Sequence, residues 1–272
     1  MTDRRDVNES KFAVFPSGRR VWAVAAVHGE AVLLERLHAQ LAPKLQSGDG
    51  LAYLGNILGR GGAIVATIDE VLRFRRAFLA RPRTFSDDFA VLRGVQEEMW
   101  GKLLQIQFAT NPREVLEWMG AQGIGATVQA YSGDLKDGMI AAKGGAMALF
   151  RWTSRLRLAM QRVPGHAQLM SALRHAAYSQ DRGILLVHAG VDPARPFCEQ
   201  GDSCWWGGRD FDRLKAGTLG FKRILRGYDP AHKGERLEPF AATLDGGAGL
   251  GGPLVAICFD GGRLVDRIEI RS

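Results

Sequence analysis

The stretch at residues 182–193 constrains the fold more than any other part of the chain. The run Ile184–Val187 is apolar throughout, which predicts a strand that is buried on both faces. His188, an alanine and a glycine follow at once, and Pro193 comes soon after, so the run must end in a turn. A histidine at the carboxyl end of a buried strand lies where open α/β folds place their functional groups.

The first half of the chain repeats this succession of strand, turn and helix. Apolar runs predict strands, and apolar residues at helical spacing predict helices that begin after each turn. The predicted strands cover residues 19–29, 51–54 and 89–92. The predicted helices cover residues 30–45 and 64–80, a short helix follows residues 93–98 and runs through Leu104, and another begins at Pro112 under an Asn111 cap. This alternation predicts an α/β fold with parallel strands.

The second half adds more helix and then more strands. Residues 143–178 are predicted to be a helical insertion that Pro164 and Gly165 interrupt. Strands are predicted at residues 221–226, 240–244, 254–259 and 263–270. Because no repeat or linker divides the chain, we expect residues 1–272 to form a single domain, with a terminal extension at residues 1–18.

Composition places the chain among ordinary soluble globular proteins. It has 272 residues, of which 46% are apolar and 24% charged, enough to bury a sizeable core. The first ten residues are polar and no apolar run is long enough to span a bilayer, so a cytoplasmic location is expected. Cys198, Cys204 and Cys258 lack metal-ligand spacing and are expected to be free thiols.

Basic residues are concentrated in the predicted insertion. The formal net charge is +7, and no Asp or Glu occurs from Gly138 to Gln180. The default interpretation is a solvated helix packed on the core. The sharper hypothesis is a surface that docks an acidic protein partner, an anionic membrane or nucleic acid, of which nucleic acid is the least supported because no recognition motif accompanies the charge. The candidate residues are Arg151, Arg155, Arg157 and Arg162.

Six turns resemble, in order and in spacing, the motifs of one family. They are residues 25–29 (Ala-Ala-Val-His-Gly), 55–61 (Gly-Asn-Ile-Leu-Gly-Arg-Gly), 94–97 (Gly-Val-Gln-Glu), 188–190 (His-Ala-Gly), 227–228 (Gly-Tyr) and 245–248 (Asp-Gly-Gly-Ala). The series resembles the calcineurin-like metallophosphoesterases, in particular the branch of bacterial serine/threonine protein phosphatases and symmetrical diadenosine tetraphosphatases. The resemblance runs from about Val21 to the carboxyl end.

The resemblance implies a fold and a reaction. The expected fold class is α/β, with two packed β-sheets flanked by helices, an αββα sandwich. The family holds two divalent metal ions such as Mn or Fe at the carboxyl ends of the central strands and uses them to hydrolyse phosphoric esters. Its six ligand positions correspond here to Ala26, His28, Asn56, Val95, His188 and Tyr228. Two of the six, His28 and His188, keep a side chain of the expected type.

The substitutions remove the chemistry that the family needs. Ala26 and Asn56 replace the two carboxylates that offset the charge of the metal pair. Two imidazoles without a carboxylate make a poor site for Mn, Fe or Mg, and without metals no hydroxide forms. Gln96 stands at the family's acid histidine and cannot donate a proton, and Gly59 stands at the aspartate that orients this histidine. We therefore expect no catalytic residues, no metal and no cofactor.

Other parts of the family cleft persist. Arg60 stands where the family grips the substrate phosphate, and Arg209 matches a second phosphate-facing arginine more loosely. We expect the histidines to be hydrogen-bonded to backbone and the Tyr228 ring to fill the volume of a lost metal. The predicted vestigial cleft consists of His28, Asn56, Arg60, Gln96, His188, Arg209 and Tyr228.

Three functions follow from this interpretation. The first is a catalytically inactive pseudophosphatase that acts as a regulatory or structural partner of another protein. The second is an active phosphoesterase whose metal site is rebuilt with Asp192, Asp229 or Asp245. The third is a binder of a phosphate-containing ligand, a nucleotide or a phosphopeptide, that does not hydrolyse it.

Overall fold

Two β-sheets pack face to face in the computed structural model, which describes residues 11–272. The described residues form eleven strands, which are β1 (Phe12–Phe15), β2 (Arg20–Val24), β3 (Gly50–Tyr53), β4 (Phe89–Val91), β5 (Ala176–Ser179), β6 (Ile184–Val187), β7 (Arg223–Arg226), β8 (Arg236–Leu237), β9 (Ala241–Thr243), β10 (Leu254–Asp260) and β11 (Arg263–Ile270). One sheet has the order β11-β10-β2-β3-β4 and the other the order β1-β5-β6-β7-β9-β8.

The strands at the centre of each sheet are parallel. β2, β3 and β4 pair in parallel in the first sheet, and β6, β7 and β9 pair in parallel in the second. The two antiparallel hairpin strands β10 and β11 extend the first sheet at one side. Parallel neighbours end at the same edge, so the turns after β2, β3, β6 and β7 are brought into one region.

Strand residues alternate between the interior and the outer faces of the sandwich. Ala23, Leu186 and Val255 belong to the core between the sheets, whereas Trp22 and Leu185 face outwards into separate clusters. The period of two residues in a strand produces this division. Because both faces of the central strands are buried, their sequences read as continuous apolar runs.

Helices cover the outer face of the five-stranded sheet. Within residues 11–272, the first eight helices in chain order are α1 (Ala31–Leu41), α2 (Ile64–Leu79), α3 (Val95–Leu103), α4 (Pro112–Ala121), α5 (Ile124–Ala130), α6 (Leu135–Lys143), α7 (Ala146–Arg162) and α8 (His166–Ser171). The leucines at 33, 34, 37 and 41 of α1 are buried in this layer, as their helical spacing predicts. The other outer face is covered by α9 (Ser203–Trp206) and by short 3-10 turns that carry Phe211 and Phe221.

The sequence predicted most of these elements, and the αββα arrangement of two sheets flanked by helices is confirmed. The Asn111 side chain accepts a hydrogen bond from the Glu114 backbone N–H, as its predicted capping role requires. The predicted helical insertion contains α7 and α8, which are separated at Pro164 and Gly165 as expected, but its carboxyl end was placed too far along the chain, because residues 176–178 belong to β5.

The predicted terminal extension contains a strand. β1 pairs with β5 in register, Phe12 opposite Ala176. Four residues followed by Pro16 give too short a signal for a strand, and its partner lies far along the chain. Residues 1–10 of the predicted extension lie outside the described residues. The single domain stays a prediction.

Two buried histidines that do not belong to the predicted cleft have hydrogen-bond partners on both ring nitrogens. His38 lies between the Tyr53 hydroxyl, at 2.7 Å, and the Glu70 carboxylate. His166 lies between the Tyr131 hydroxyl, at 2.7 Å, and Asp69, at 3.1 Å. The two carboxylates, Asp69 and Glu70, are consecutive residues of α2. One helix therefore supplies the last partner in each tyrosine–histidine–carboxylate series, and the two buried imidazoles are not left without hydrogen bonds.

The cysteine prediction is confirmed, since Cys198, Cys204 and Cys258 are all free. Among residues 11–272, no helix combines the length and the apolar character that a bilayer span requires.

The close approach of β3 and β7 at their ends gives a first prediction. A methyl group on Gly227 would lie 2.3 Å from the Leu54 Cβ, whereas one on Gly62 would meet no atom within 4 Å. Gly227→Ala should therefore lower the free energy of unfolding by about 2–3 kcal/mol through overpacking, and Gly62→Ala should change it by less than about 0.5 kcal/mol. Urea denaturation measures both variants. Equal effects would show that the two turns do not pack as described.

Candidate functional site

The turns after the central strands are joined by backbone hydrogen bonds. The N–H groups of Val27 and His28 donate to the Asn56 carbonyl, at 3.1 and 2.6 Å. The Tyr228 N–H donates to the His188 carbonyl at 2.9 Å, and Ala26 N–H to Gly227 at 3.1 Å. These bonds connect turns from both sheets, so the predicted cleft residues that lie on them belong to one structural unit.

A buried carboxylate fixes two of these turns. Glu97, in the first turn of α3, accepts hydrogen bonds from the backbone N–H groups of Asn56 (2.9 Å), Leu58 (2.9 Å) and Gly94 (2.8 Å). Burial raises the pKa of Glu97, and the three backbone donors oppose that rise. The residue is 5% exposed, so the loop after β3 is held to the helix by a group that water does not reach.

Alanine, valine and tyrosine occupy three of the six positions that the sequence resemblance matched to metal ligands. Ala26, Val95 and Tyr228 pack together with Ala189 in one small cluster. Ala26 and Tyr228 are buried, at 2% and 8% exposure. These positions therefore contribute packing and supply no carboxylate or imidazole donor.

The Tyr228 ring packs against both retained histidines. It stacks on His188, with ring centroids 5.1 Å apart and an interplanar angle of 9°. It meets His28 edge-on, with centroids 5.7 Å apart. Such contacts add to the energy of burial, and they support the expectation that the ring fills space between the former ligand positions.

Asn56 determines the protonation pattern of His28. The backbone N–H of Gln96 donates to Asn56 Oδ1 at 2.9 Å, which leaves the Asn56 amide nitrogen to donate to His28 Nε2 at 3.3 Å. The lone pair of His28 Nε2 is then occupied, and the ring proton lies on Nδ1. Nδ1 is buried without a hydrogen-bond partner. The bond runs to a side chain, whereas the sequence led us to expect a backbone partner.

His188 follows the expected pattern more closely. Its Nδ1 donates to the Leu54 backbone carbonyl at 2.6 Å, and its Nε2 is buried without a partner. Burial lowers the pKa of His28 from 6.5 to about 3, helped by His188 and Arg60, and lowers that of His188 to about 4. Both imidazoles are therefore neutral at physiological pH.

The sequence resemblance matched Gln96 and Gly59 to an acid and to the aspartate that orients it. The Gln96 side-chain amide donates to the Gln122 carbonyl at 2.8 Å. A Cβ atom on Gly59 would lie 2.7 Å from His28 Nδ1 and 2.8 Å from Gln96 Cγ. The space that a side chain at residue 59 would need is therefore filled by His28 and Gln96.

The two predicted phosphate-facing arginines differ in their surroundings. Arg60 packs beside Gly123 and Gly249, because a Cβ atom on either glycine would lie within 3.6 Å of its side chain. Its Nε atom is buried without a partner. Burial raises the pKa of Tyr228, and both the charge of Arg60 and a side-chain hydrogen bond between Arg60 and Tyr228 oppose that rise. Arg209 is exposed in the loop after α9.

The aspartates considered as substitute ligands have other partners. Asp229 binds Arg226 at 3.0 Å and Arg236 at 3.3 Å. Asp245 accepts from the backbone N–H groups of residues 229 and 247, both at 2.9 Å. Asp192 caps its own turn and pairs with Arg195 at 3.2 Å. Each carboxylate stabilises a loop, so the arrangement does not favour a rebuilt metal site.

The donor set does not fit a pair of divalent metals. Among residues 11–272, no group of three or more His, Cys, Asp and Glu side chains lies together in a way that could hold a metal ion. One donor lone pair, on His28, is occupied by Asn56, and no carboxylate stands at the six compared positions. Such a set cannot offset the charge of two divalent cations.

The predicted docking arginines separate into two groups. Arg151, Arg155 and Arg162 are exposed on α7. Arg157 turns to the opposite side and donates to the Leu104 backbone carbonyl at 2.9 Å. Two residues along a helix correspond to a rotation of about 200°, so the first three arginines can share a surface that Arg157 does not reach.

Two sets of contacts between distant parts of the sequence were not predicted. Trp118 of α4 and Trp206 of α9 are 46% and 42% exposed, and their ring centroids are 5.9 Å apart. Arg226 is buried and donates to Thr243 and to the Gly208 carbonyl. The helical position of Trp118 did not reveal this pairing, because the two tryptophans come from distant parts of the sequence.

Comparisons with known proteins find likeness in structure only. No family model matches the chain, and no curated protein matches it. A provisionally assigned diadenosine tetraphosphatase has a TM-score of 0.58 at 18% identity over 95% of this chain and 97% of that chain. A serine/threonine phosphatase from Saccharomyces cerevisiae, described as similar to human phosphatase PP5, has a TM-score of 0.53 at 13% identity, covering 97% and 84%.

A third solved structure has a different described activity. The cold-active protein-tyrosine phosphatase of a Shewanella species has a TM-score of 0.54 at 10% identity, over 96% of this chain and 84% of that chain. Likeness at such low identity establishes the fold.

The buried neutral imidazoles predict a pH-dependent stability. The pKa values of His28 and His188 fall from 6.5 to about 3 and about 4 on folding, so the unfolded chain binds more protons below 6.5. Their contribution is complete above that pH and is lost as the pH falls towards the folded values. Between about pH 7.5 and pH 5, each imidazole should account for about 2 kcal/mol of lost stability.

Urea denaturation across this pH range tests the prediction. His188→Gln should lower the pH dependence by about that amount. Val187→Ala, which shortens a neighbouring buried side chain without removing a titratable group, should keep the wild-type dependence. An unchanged slope in His188→Gln would contradict a neutral buried imidazole.

Proposed function

We propose that this chain, which has the calcineurin-like metallophosphoesterase fold, has lost phosphoester hydrolysis and acts by binding another protein as a regulatory or structural partner. In this proposal the chain is a pseudophosphatase. Backbone hydrogen bonds join the turns that the sequence resemblance matched to the loops of the family's catalytic centre. What differs is the chemistry of the side chains that the loops present.

The packing of Ala26, Val95 and Tyr228 carries the proposal. A pair of divalent metals needs several donors with negative charge around it, and these three positions supply packing contacts and no carboxylate. A metal-bound hydroxide is the family's nucleophile, and the donor set that would generate it is missing. Gln96 also cannot protonate a leaving group.

The orientation of the Asn56 amide adds a second argument. The Gln96 N–H fixes its oxygen, so its nitrogen faces His28. An aspartate in this position would offer a negative oxygen to a metal. Asparagine offers a proton to the histidine, which joins two former ligand positions by a hydrogen bond and leaves the centre neutral.

Metal content and hydrolysis test the proposal together. The protein, purified without chelator from cells supplied with Mn, should contain less than about a tenth of an equivalent of Mn, Fe, Zn or Co by mass spectrometry. It should hydrolyse p-nitrophenyl phosphate no faster than the buffer. An active metallophosphoesterase purified in parallel serves as the control. One or two equivalents of metal, with turnover that His188→Ala abolishes, would contradict the proposal and favour a rebuilt site.

A second candidate function is the binding of a phosphate group without hydrolysis. One observation favours it, namely that Arg60 Nε is buried without a partner. The His28 Nδ1 atom, which carries the ring proton, is also buried without a partner. It lies in the turn that is hydrogen-bonded to the loop of Arg60. Buried donors usually have a partner, and a phosphate oxygen is a suitable acceptor for a guanidinium.

Thermal unfolding with phosphoserine tests this candidate. At about 10 mM, phosphoserine should raise the unfolding temperature by about 2–4 °C and serine should not. Arg60→Gln should remove the shift, whereas Arg83→Gln, which changes an exposed arginine elsewhere, should retain it. If phosphoserine and serine act alike on the wild type, the chain does not bind phosphate in this cleft and only the binding of a protein partner remains.

A further inference from the structure

The helices α6 and α7 enclose a groove that the vestigial cleft does not explain. The groove has a volume of about 740 Å³ and is lined by Ile140, Ala141, Ala148, Phe150 and Trp152, with Arg151 and Arg155 beside them. Asp137 and Ser154 complete the lining. We call this the α6–α7 groove.

A smaller hollow continues the groove along α7. It has a volume of about 340 Å³, and it shares Asp137, Trp152 and Arg155 with the first one. Leu158 and Arg162 lie in this second part. The two hollows follow α7, which at 17 residues is about 25 Å long.

Large apolar side chains around the groove are open to solvent. Ile140 is 67% exposed, Phe150 48% and Leu158 53%. Met147, near the start of α7, is 65% exposed. A contiguous group of such side chains is uncommon on the surface of a monomer and is typical of a surface that binds another molecule.

The charge around the groove is mostly positive. Arg151, Arg155 and Arg162 are spaced four and seven residues apart on α7, so they line one side of it. Asp137 is the single acidic residue among those that line the two hollows. A partner that fits this surface must bring apolar side chains for the floor and acidic side chains for the rim.

We propose that the α6–α7 groove binds an acidic amphipathic helix of another protein. The length of α7 accommodates a segment of about four turns. The apolar face of such a helix would contact the exposed side chains of Ile140, Phe150 and Leu158, and its flanking Asp and Glu residues would face Arg151, Arg155 and Arg162. The two hollows along α7 favour a helix over a bilayer, because a single helix fits a narrow groove whereas a bilayer presents a broad surface.

The inference goes beyond the loss of catalysis and does not depend on it. None of the cleft residues lines the α6–α7 groove. Metal content and hydrolysis test the cleft, and peptide binding tests the groove. The two sets of measurements are therefore independent, and either proposal can be rejected while the other stands.

Selection from a display library of random peptides of about 16 residues tests the groove, with the full chain as the target. Selected sequences should show apolar residues at helical spacing between Asp and Glu. A fluorescein-labelled synthetic peptide of the selected sequence then gives a dissociation constant by polarisation. In Arg151→Glu/Arg155→Glu/Arg162→Glu, this constant should rise at least about tenfold.

Two further variants separate the groove from general effects of charge. Arg76→Glu/Arg83→Glu/Lys215→Glu makes the same change in net charge at exposed residues outside the groove and should bind the peptide as the wild type does. Ile140→Ser/Phe150→Ser leaves the charge unchanged and should also weaken binding at least about tenfold. Circular dichroism confirms that each variant is folded.

Several outcomes would overturn the proposal. They are the absence of any enriched peptide, enrichment of basic sequences or of sequences without helical spacing, and equal affinity of the peptide for the wild type and the triple groove variant. Sedimentation with phosphatidylserine vesicles tests whether the groove binds an anionic membrane instead of a helix. Vesicle binding that the triple groove variant abolishes, without peptide binding, would assign the surface to a membrane.

Discussion

The site depends on a carboxylate that performs no chemistry. Glu97 accepts three backbone hydrogen bonds from residues 56, 58 and 94, and these bonds hold the loop after β3 against the start of α3. Because the group is buried, its removal would leave three buried backbone N–H groups without their acceptor, which is costly. The loop that carries Asn56 and the helix that carries Gln96 are therefore held in place by a residue whose role is structural. The backbone frame and the chemistry of the site are supported by different residues.

The four buried histidines described above differ in how their ring nitrogens are satisfied. His38 and His166 have partners on both ring nitrogens, whereas His28 and His188 each have one nitrogen without a partner. The Tyr228 ring compensates in part by stacking on one imidazole and meeting the other edge-on. Burial keeps both rings uncharged, so no counter-ion is needed. The centre is a packed, uncharged cluster in which two ring nitrogens, His28 Nδ1 and His188 Nε2, have no hydrogen-bond partner.

The sequence predicted those parts of the protein in which local signals agree with the tertiary structure. The leucines of α1, the apolar run of β6 and the turn at His188 all follow from periodicity and turn chemistry, and their positions in the fold are as expected. β1 was missed because its pairing comes from β5, more than 150 residues away in the chain. The direction of Arg157 follows from helical rotation, but its bond to Leu104 does not. The partner of the Asn56 amide likewise depends on atoms from two other turns, which no single stretch of sequence brings together.

Gly59 couples three positions of the site to one another. Its missing side chain leaves room for His28 and Gln96, because a Cβ atom here would lie 2.7 Å from His28 Nδ1 and 2.8 Å from Gln96 Cγ. An aspartate at this position would collide with both of them before it could orient either one. Placing a side chain at residue 59 without changing its neighbours would therefore cost stability. Steric contact alone thus makes the identity of residue 59 depend on residues 28 and 96, so that a larger residue fits only if its neighbours change with it.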